Sequence, residues 1–251
     1  MLYAGKSIRL KRLFKGDGKA FIVALDHGVV GITDGIENLN KMIDTVIRAG
    51  ADAVMVNIGI VKYISETIAG RTALVATTEY AEESLIEAMK FDACAVKTTY
   101  FGDVPPEEAI RERFRHIALK CNEWGMPYMA ECVPAKPSGE YIFDADLIQK
   151  AARVSAELGA DIVKTAYPGT MDGFKKAIEA CPAPIVIAGG PRIESDRDAL
   201  KMVKESVEAG GAGVAIGRNI WQHKHPSKMT EAIAKIIHED ISVEEALKIL
   251  K

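Results

Sequence analysis

Eight short apolar runs recur along this chain, each followed by an amphipathic stretch with helical spacing, and that alternation limits the folds open to it. The runs are Ala20–Gly28, Ala53–Gly59, Thr72–Thr77, Ala93–Tyr100, Tyr128–Val133, Asp161–Ala166, Pro184–Gly189 and Gly213–Gly217. Most are near-continuously apolar rather than alternating, which is the pattern of parallel strands covered on both faces. Between them, Glu37–Ala49, Glu79–Lys90, Glu107–Trp124, Ala145–Leu158, Gly173–Ala180 and Asp196–Ala209 read as helices. Ile60–Ala69 reads as a short link, and Ser227–His238 and Ser242–Leu250 follow the last strand. Gly50, Gly159 and Gly210 stand where a left-handed residue would end a helix before the next strand.

Eight strands alternating with helices predict an α/β fold of the closed (β/α)8 TIM-barrel type. An open doubly wound sheet is the runner-up. It favours G-x-G-x-x-G after the first strand, whereas Asp26-His27-Gly28-Val29-Val30-Gly31 stands there. No linker or low-complexity segment interrupts the pattern, so residues 1–251 read as one barrel domain. Met1–Gly18 and the C-terminal helix are expected to cover barrel ends or meet a partner subunit.

The formal charge of -3, from 32 basic and 35 acidic residues without long like-charge blocks, argues against nucleic acid and membrane surfaces as partners. Cys94, Cys121, Cys132 and Cys181 are widely separated and form no C-x-x-C, as expected of reduced thiols in a cytoplasmic protein. Neither a signal-peptide run nor a membrane-span run is apparent.

In a (β/α)8 barrel the chemistry lies where strands end and βα loops begin. Lys164 lies near the end of an apolar strand before Pro168-Gly169, and the parity of Ile162, Lys164 and Ala166 places it on one face. A buried ammonium is costly, so such a lysine is either paired or has a depressed pKa, and a neutral lysine attacks carbonyls to form Schiff bases. Lys97 is a second basic residue in an apolar strand. Three roles are open to it: a cation that depresses Lys164, the nucleophile itself, or an ion-pair partner of Glu131 on the adjacent strand. Asp26 ends the first strand as a cap or as a carboxylate for substrate hydroxyls and proton relay, while His27 should point the other way and be structural. Gly189-Gly190 after strand seven and Gly217-Arg218 after strand eight are placed to bind phosphate through backbone N–H groups and a guanidinium. His223 and His225 lack an acidic cluster and read as solvated loop residues, not as a metal site; His116 and His238 read as surface or packing residues.

Taken together, Ala24-Leu25-Asp26-His27-Gly28, Ile162-Val163-Lys164-Thr165 with Tyr167 and Gly169, Ala188-Gly189-Gly190-Pro191 and Gly213 through Ile220 resemble the archaeal-type class I aldolases. That family includes archaeal fructose-bisphosphate aldolases, 2-amino-3,7-dideoxy-heptulosonate synthases and an autoinducer-processing relative. The resemblance implies a lyase or transferase that forms a Schiff base with a small phosphorylated keto sugar. No metal or organic cofactor is implied, and members form homo-oligomers, decamers among them. It matches Lys164 to the Schiff-base lysine, Asp26 to the strand-one aspartate, and Gly189, Gly190, Gly217 and Arg218 to the phosphate site. One departure stands out: Val133 occupies the place of the family's catalytic tyrosine at the end of strand five. Glu131, of the same parity, is the expected substitute acid/base, with Tyr100 or Tyr167 as further candidates. A phosphosugar isomerase and a non-catalytic phosphometabolite binder are the alternatives on the same barrel.

Overall fold

The computed structural model describes residues 4–251; Met1, Leu2 and Tyr3, part of the expected N-terminal decoration, lie outside the described residues. Eight strands form a closed barrel in sequential order: β1 (Ala20–Ala24), β2 (Ala53–Asn57), β3 (Ala73–Thr77), β4 (Ala95–Gly102), β5 (Tyr128–Pro134), β6 (Ile162–Ala166), β7 (Ile185–Ala188) and β8 (Gly213–Ile216). All neighbours are parallel, and β8 closes on β1 through Ala20↔Gly213 to Val23↔Ile216. Helices α1 (Ala4–Leu13), α2 (Leu39–Arg48), α3 (Val61–Ile68), α4 (Glu82–Lys90), α5 (Glu108–Glu123), α6 (Ala145–Glu157), α7 (Met171–Ala180), α8 (Asp196–Glu208), α9 (Arg218–Trp221), α10 (Pro226–Glu239) and α11 (Val243–Leu250) complete the described fold.

Strand parity sorts the apolar residues into two cores. Phe21, Val23, Val54, Val56, Ala130, Val163, Ile187 and Val214 point outward and pack under the helices. Ala20, Ile22, Ala24, Ala53, Met55, Val75, Ala95, Met129, Ile162, Val186 and Ala215 point inward and fill the barrel. The barrel is thus a packed core, not a pore. At its N-terminal end α1 carries the fully buried Leu13 into the inner cluster, with Leu10 and Phe14 beside it. Burying one such side chain stabilises by about 1.5–3 kcal/mol. The described part of the N-terminal extension therefore plugs the barrel floor.

Most helix limits follow local chemistry. Asn38, Asp144, Thr170 and Ser195 accept hydrogen bonds from backbone N–H groups in the first turns of α2, α6, α7 and α8. The Thr170 cap explains why α7 begins at Met171, two residues before the apolar pattern predicts. Gly50, Gly159 and Gly210 have φ of 102°, 99° and 103°, as the expected left-handed helix ends require. Three limits differ where they bear on function. The first strand ends at Ala24 rather than Gly28, because Asp26 opens a one-turn 3-10 helix over His27–Val30. Conversely, β4 and β5 run on to Gly102 and Pro134, paired from Val96↔Tyr128 to Gly102↔Pro134. No described helix is long and apolar enough to cross a membrane.

Candidate active site

Four inward residues near the C-terminal ends of the strands replace apolar packing with charge. Register places Thr99, Glu131, Lys164 and Val186 side by side across β4 to β7. Lys97 lies one inward position below Thr99, and Asp26 stands just past β1. Asp26, Lys97, Glu131 and Lys164 are 8%, 2%, 4% and 4% exposed, so their charges must be satisfied by one another. They alternate in sign: Lys97 Nζ lies 2.8 Å from Asp26 Oδ2 and 2.7 Å from Glu131 Oε2, and Lys164 Nζ lies 2.7 Å from Glu131 Oε1. Two threonines complete the row. Thr77 Oγ1 donates to Asp26 Oδ2 at 2.7 Å, and Thr99 Oγ1 donates to Glu131 Oε2 at 3.0 Å.

The two lysines differ in how fully they are used. Lys97 donates to Asp26, Glu131 and, at 2.6 Å, Thr99 Oγ1, which accounts for all three ammonium hydrogens. Among the described residues Lys164 has a single oxygen partner, and its other contact is the weak acceptor Met55 Sδ at 3.8 Å. Burial opposes the Lys97 charge, but Asp26 and Glu131 outweigh it and raise its pKa. Burial likewise pushes both carboxyls up; Lys97, His27 and Lys164 override it and hold Asp26 well below the usual range. Glu131 is also held low, by Lys164 and Lys97. Of the three roles open to Lys97, the ion pair with Glu131 is present, as part of a longer chain.

At the β7 and β8 ends the glycines have two distinct jobs. A Cβ on Gly217 would fall 2.3 Å from the Ala24 oxygen, and one on Gly189 would fall 2.8 Å from Ile216 Cβ. Close packing therefore requires both, whatever they bind. Gly190, with φ 64°, turns the chain into the barrel mouth, where the nearest atoms to a Cβ would be those of Tyr141 and Phe143 at 3.9–4.0 Å. Arg218 is half-buried, and its Nε has no hydrogen-bond partner among the described residues. Asn219, which the sequence reading did not single out, locks the two loops: its Nδ2 donates to the Gly189 oxygen at 2.8 Å, and its Oδ1 accepts from Ile193 N at 2.7 Å.

His27 packs edge-on against Trp221 at 5.5 Å, but its Nδ1 also lies 3.5 Å from Asp26 Oδ1, which corrects the expectation that it points away from Asp26, because the 3-10 turn breaks strand parity there. His225 is exposed, but His223 is buried beside Asp196 at 3.2 Å, which corrects the expectation that both are solvated. Tyr100 donates to the Asp103 oxygen at 3.2 Å, and Tyr167 donates to Glu205 Oε2 at 2.8 Å. Both hydroxyls are thus turned to local partners. Beyond β5 the chain folds back in a hairpin, bridging Ala135 to Tyr141, and sets Tyr141 above the barrel mouth. Nothing in the spacing of Tyr141 marks it, because the turn that returns it has no strand periodicity. All four cysteines are buried free thiols.

The family model of the DeoC/LacD aldolases matches residues 20–223. An uncharacterised aldolase of Saccharolobus solfataricus is 32% identical, over 98% of this chain and 99% of that protein. The 2-amino-3,7-dideoxy-D-threo-hept-6-ulosonate synthase of Halobacterium salinarum is also 32% identical, over 98% of this chain and 97% of its own length. Among solved structures, a Schiff-base-forming fructose-1,6-bisphosphate aldolase superposes with a TM-score of 0.81 at 28% identity, covering 93% of this chain and all of that one.

Proposed function

This chain belongs to the DeoC/LacD aldolase family and is a class I aldolase, and on that premise we propose that Lys164 is its nucleophile and a small phosphorylated keto sugar its substrate. The observation that carries the assignment is the asymmetry of the two lysines. Lys97 has every donor engaged and a raised pKa, whereas Lys164 has one oxygen partner and lies at the barrel mouth. Attack by Lys164 on the ketone carbon gives a carbinolamine, and loss of water gives the iminium. Glu131, ionised and 2.7 Å from Nζ, is placed to stabilise that cation. Lys97 fixes the other Glu131 oxygen and so holds the carboxylate in line with the amine. The Oδ1 of Asp26, with His27 Nδ1 3.5 Å away, faces substrate hydroxyls, since Oδ2 is taken by Lys97 and Thr77.

The phosphate goes to Arg218 and the backbone of Gly190, with Gly189 and Gly217 shaping the turns. Support comes from the unpartnered Arg218 Nε, a buried donor in need of an acceptor. A homo-oligomer in the cytoplasm belongs to the same reading; the buried, unpaired thiols suit a reducing compartment.

Incubation with dihydroxyacetone phosphate followed by borohydride tests the class and the phosphate preference together. Intact-mass analysis should show one adduct per chain, formed at much lower concentration than with unphosphorylated dihydroxyacetone. Binding without any adduct, across a panel of keto phosphates, would return the protein to the isomerase or binder readings.

A further inference from the structure

Asp26 and Glu131 are both held as carboxylates, and all three hydrogens of Lys97 are engaged, so this quartet supplies no ready proton donor for a substrate oxygen. Val133, at the end of β5, has no proton to give. Given the Schiff-base reading above, on which this rests, we infer that Tyr141 donates the proton to the oxygen of the incoming aldehyde as the carbon–carbon bond forms, and takes it back on cleavage.

Placement comes first. The β5 hairpin is tied across its arms by Ile142 N to the Pro134 oxygen at 2.8 Å and Lys136 N to the Glu140 oxygen at 2.9 Å. Gly139 N bonds the Lys136 oxygen at 2.8 Å across the turn. Tyr141 is thus held by a structured turn rather than a loose loop. Its ring lies 5.4 Å from Phe101, at the end of β4, and 6.2 Å from Phe143. Gly190 of the β7 loop faces it from the other side. The half-buried ring therefore spans the mouth between the β4 and β7 ends, above the charged row.

Availability comes second. The hydroxyls of Tyr80, Tyr100, Tyr128 and Tyr167 bond to Thr99, Asp103, Thr98 and Glu205 respectively. Tyr63 is exposed on α3. Among the described residues the Tyr141 hydroxyl has no such partner, although its ring is half-buried, so a substrate oxygen is free to take that place. Burial, together with Glu131, raises the Tyr141 pKa to about 12, against a smaller opposing effect of Arg218 and Lys97. The group is a protonated phenol at neutral pH, which is the form the synthetic direction needs.

The ketone iminium on Lys164 first gives up an α-hydrogen as a proton to solvent, its C–H pair forming the C=C bond and the C=N π pair returning to nitrogen, which leaves a neutral enamine. The enamine contributes its C=C electron pair to the aldehyde carbon, the carbonyl π pair moves to oxygen, and that oxygen takes the Tyr141 proton. An iminium and a phenolate result. Water then hydrolyses the iminium to ketone and amine, and the proton released restores the phenol. Cleavage runs the same steps backwards.

The test is Tyr141→Phe, which keeps the ring and its packing. Turnover should fall by about 10²–10⁴-fold, mostly in kcat, while borohydride still traps the keto phosphate on Lys164 with wild-type yield. Turnover within about threefold of wild type, or a loss confined to KM, would overturn the inference. A wild-type protein that gives no Lys164 adduct would fail the Schiff-base reading itself, a result the variant's turnover cannot mimic.

Discussion

The two ends of this barrel both bury lysine, and the contrast between them separates a structural charge from a chemical one. At the floor, Lys6 on α1 is 1% exposed and bonds Asn122 Oδ1 at 2.5 Å and Asp161 Oδ2 at 2.6 Å. Asp161 in turn accepts from Tyr128 N at 2.8 Å, at the start of β5. Nearby, Asp52 accepts from Phe21 N at 2.7 Å and from His238 Nε2 at 2.9 Å, while the other His238 nitrogen meets Asp17 at 2.8 Å. Floor charges thus end on backbone N–H groups and pin strand starts in place. At the mouth, the four charges bond chiefly to one another and to two threonines, and Lys164 is left under-partnered. Burial of a lysine is therefore not the mark of function; a buried lysine with unused donors is.

Breaking the mouth should cost activity and little else. Lys164→Ala is expected to lower turnover by roughly 10⁴-fold or more, with the melting temperature kept, because Glu131 retains Lys97 as a partner. A melting temperature far below wild type would mean that Lys164 is structural after all. Breaking the floor should do the reverse. Lys6→Met leaves Asp161, half-buried at the start of β5, without its cation, so stability should drop by about 3 kcal/mol, the low end for a buried pair, in chemical denaturation. The activity of the fraction still folded should match wild type; a selective loss of kcat would erase the distinction between the two ends.

Smaller effects sharpen the comparison. Arg218→Ala should raise KM for a phosphorylated ketone by about 10–100-fold, the value of one or two charge-assisted bonds. It should hardly alter KM for the unphosphorylated analogue, and equal effects on both would move the phosphate elsewhere. The smallest expected change is at His238. Its bonds to Asp52 and Asp17 raise its pKa above the unfolded value. Its contribution is therefore complete below the unfolded pKa and fades as pH rises through the folded one. Asp26 and Glu131 have the opposite sign: their lowered values give stability that is present above the unfolded carboxylate pKa and lost as pH falls through the folded ones. His238→Gln should flatten the neutral-pH slope of the unfolding free energy; an unaltered neutral slope would remove His238 as its source.

The sequence shows the barrel so clearly because parallel strands covered on both faces leave an apolar run that no solvent-facing residue interrupts. Parity then tells which members of β4, β5 and β6 look inward, and that was enough to bring Lys97, Glu131 and Lys164 together. Asp26 joined them although β1 ends before it, since the turn at His27 still aims its carboxylate at Lys97. Other features lay beyond reach for a different reason. Lys6 meets partners 116 and 155 residues away, and no periodicity encodes such a contact. Tyr141 returns to the mouth through a turn, and Asn219 acts by bridging two loops, so neither is marked by its spacing. The glycines of β7 and β8 are only partly legible, because the same residue serves tight packing at Gly189 and Gly217 and an open turn at Gly190.

The claim that unused donors identify the nucleophile meets its most direct test in the wild-type protein, where both lysines compete. After borohydride reduction with dihydroxyacetone phosphate, peptide mass mapping should place the adduct on Lys164 and leave Lys97 unmodified. An adduct on Lys97 would contradict the account, because the lysine with every hydrogen engaged would then be the one that reacts.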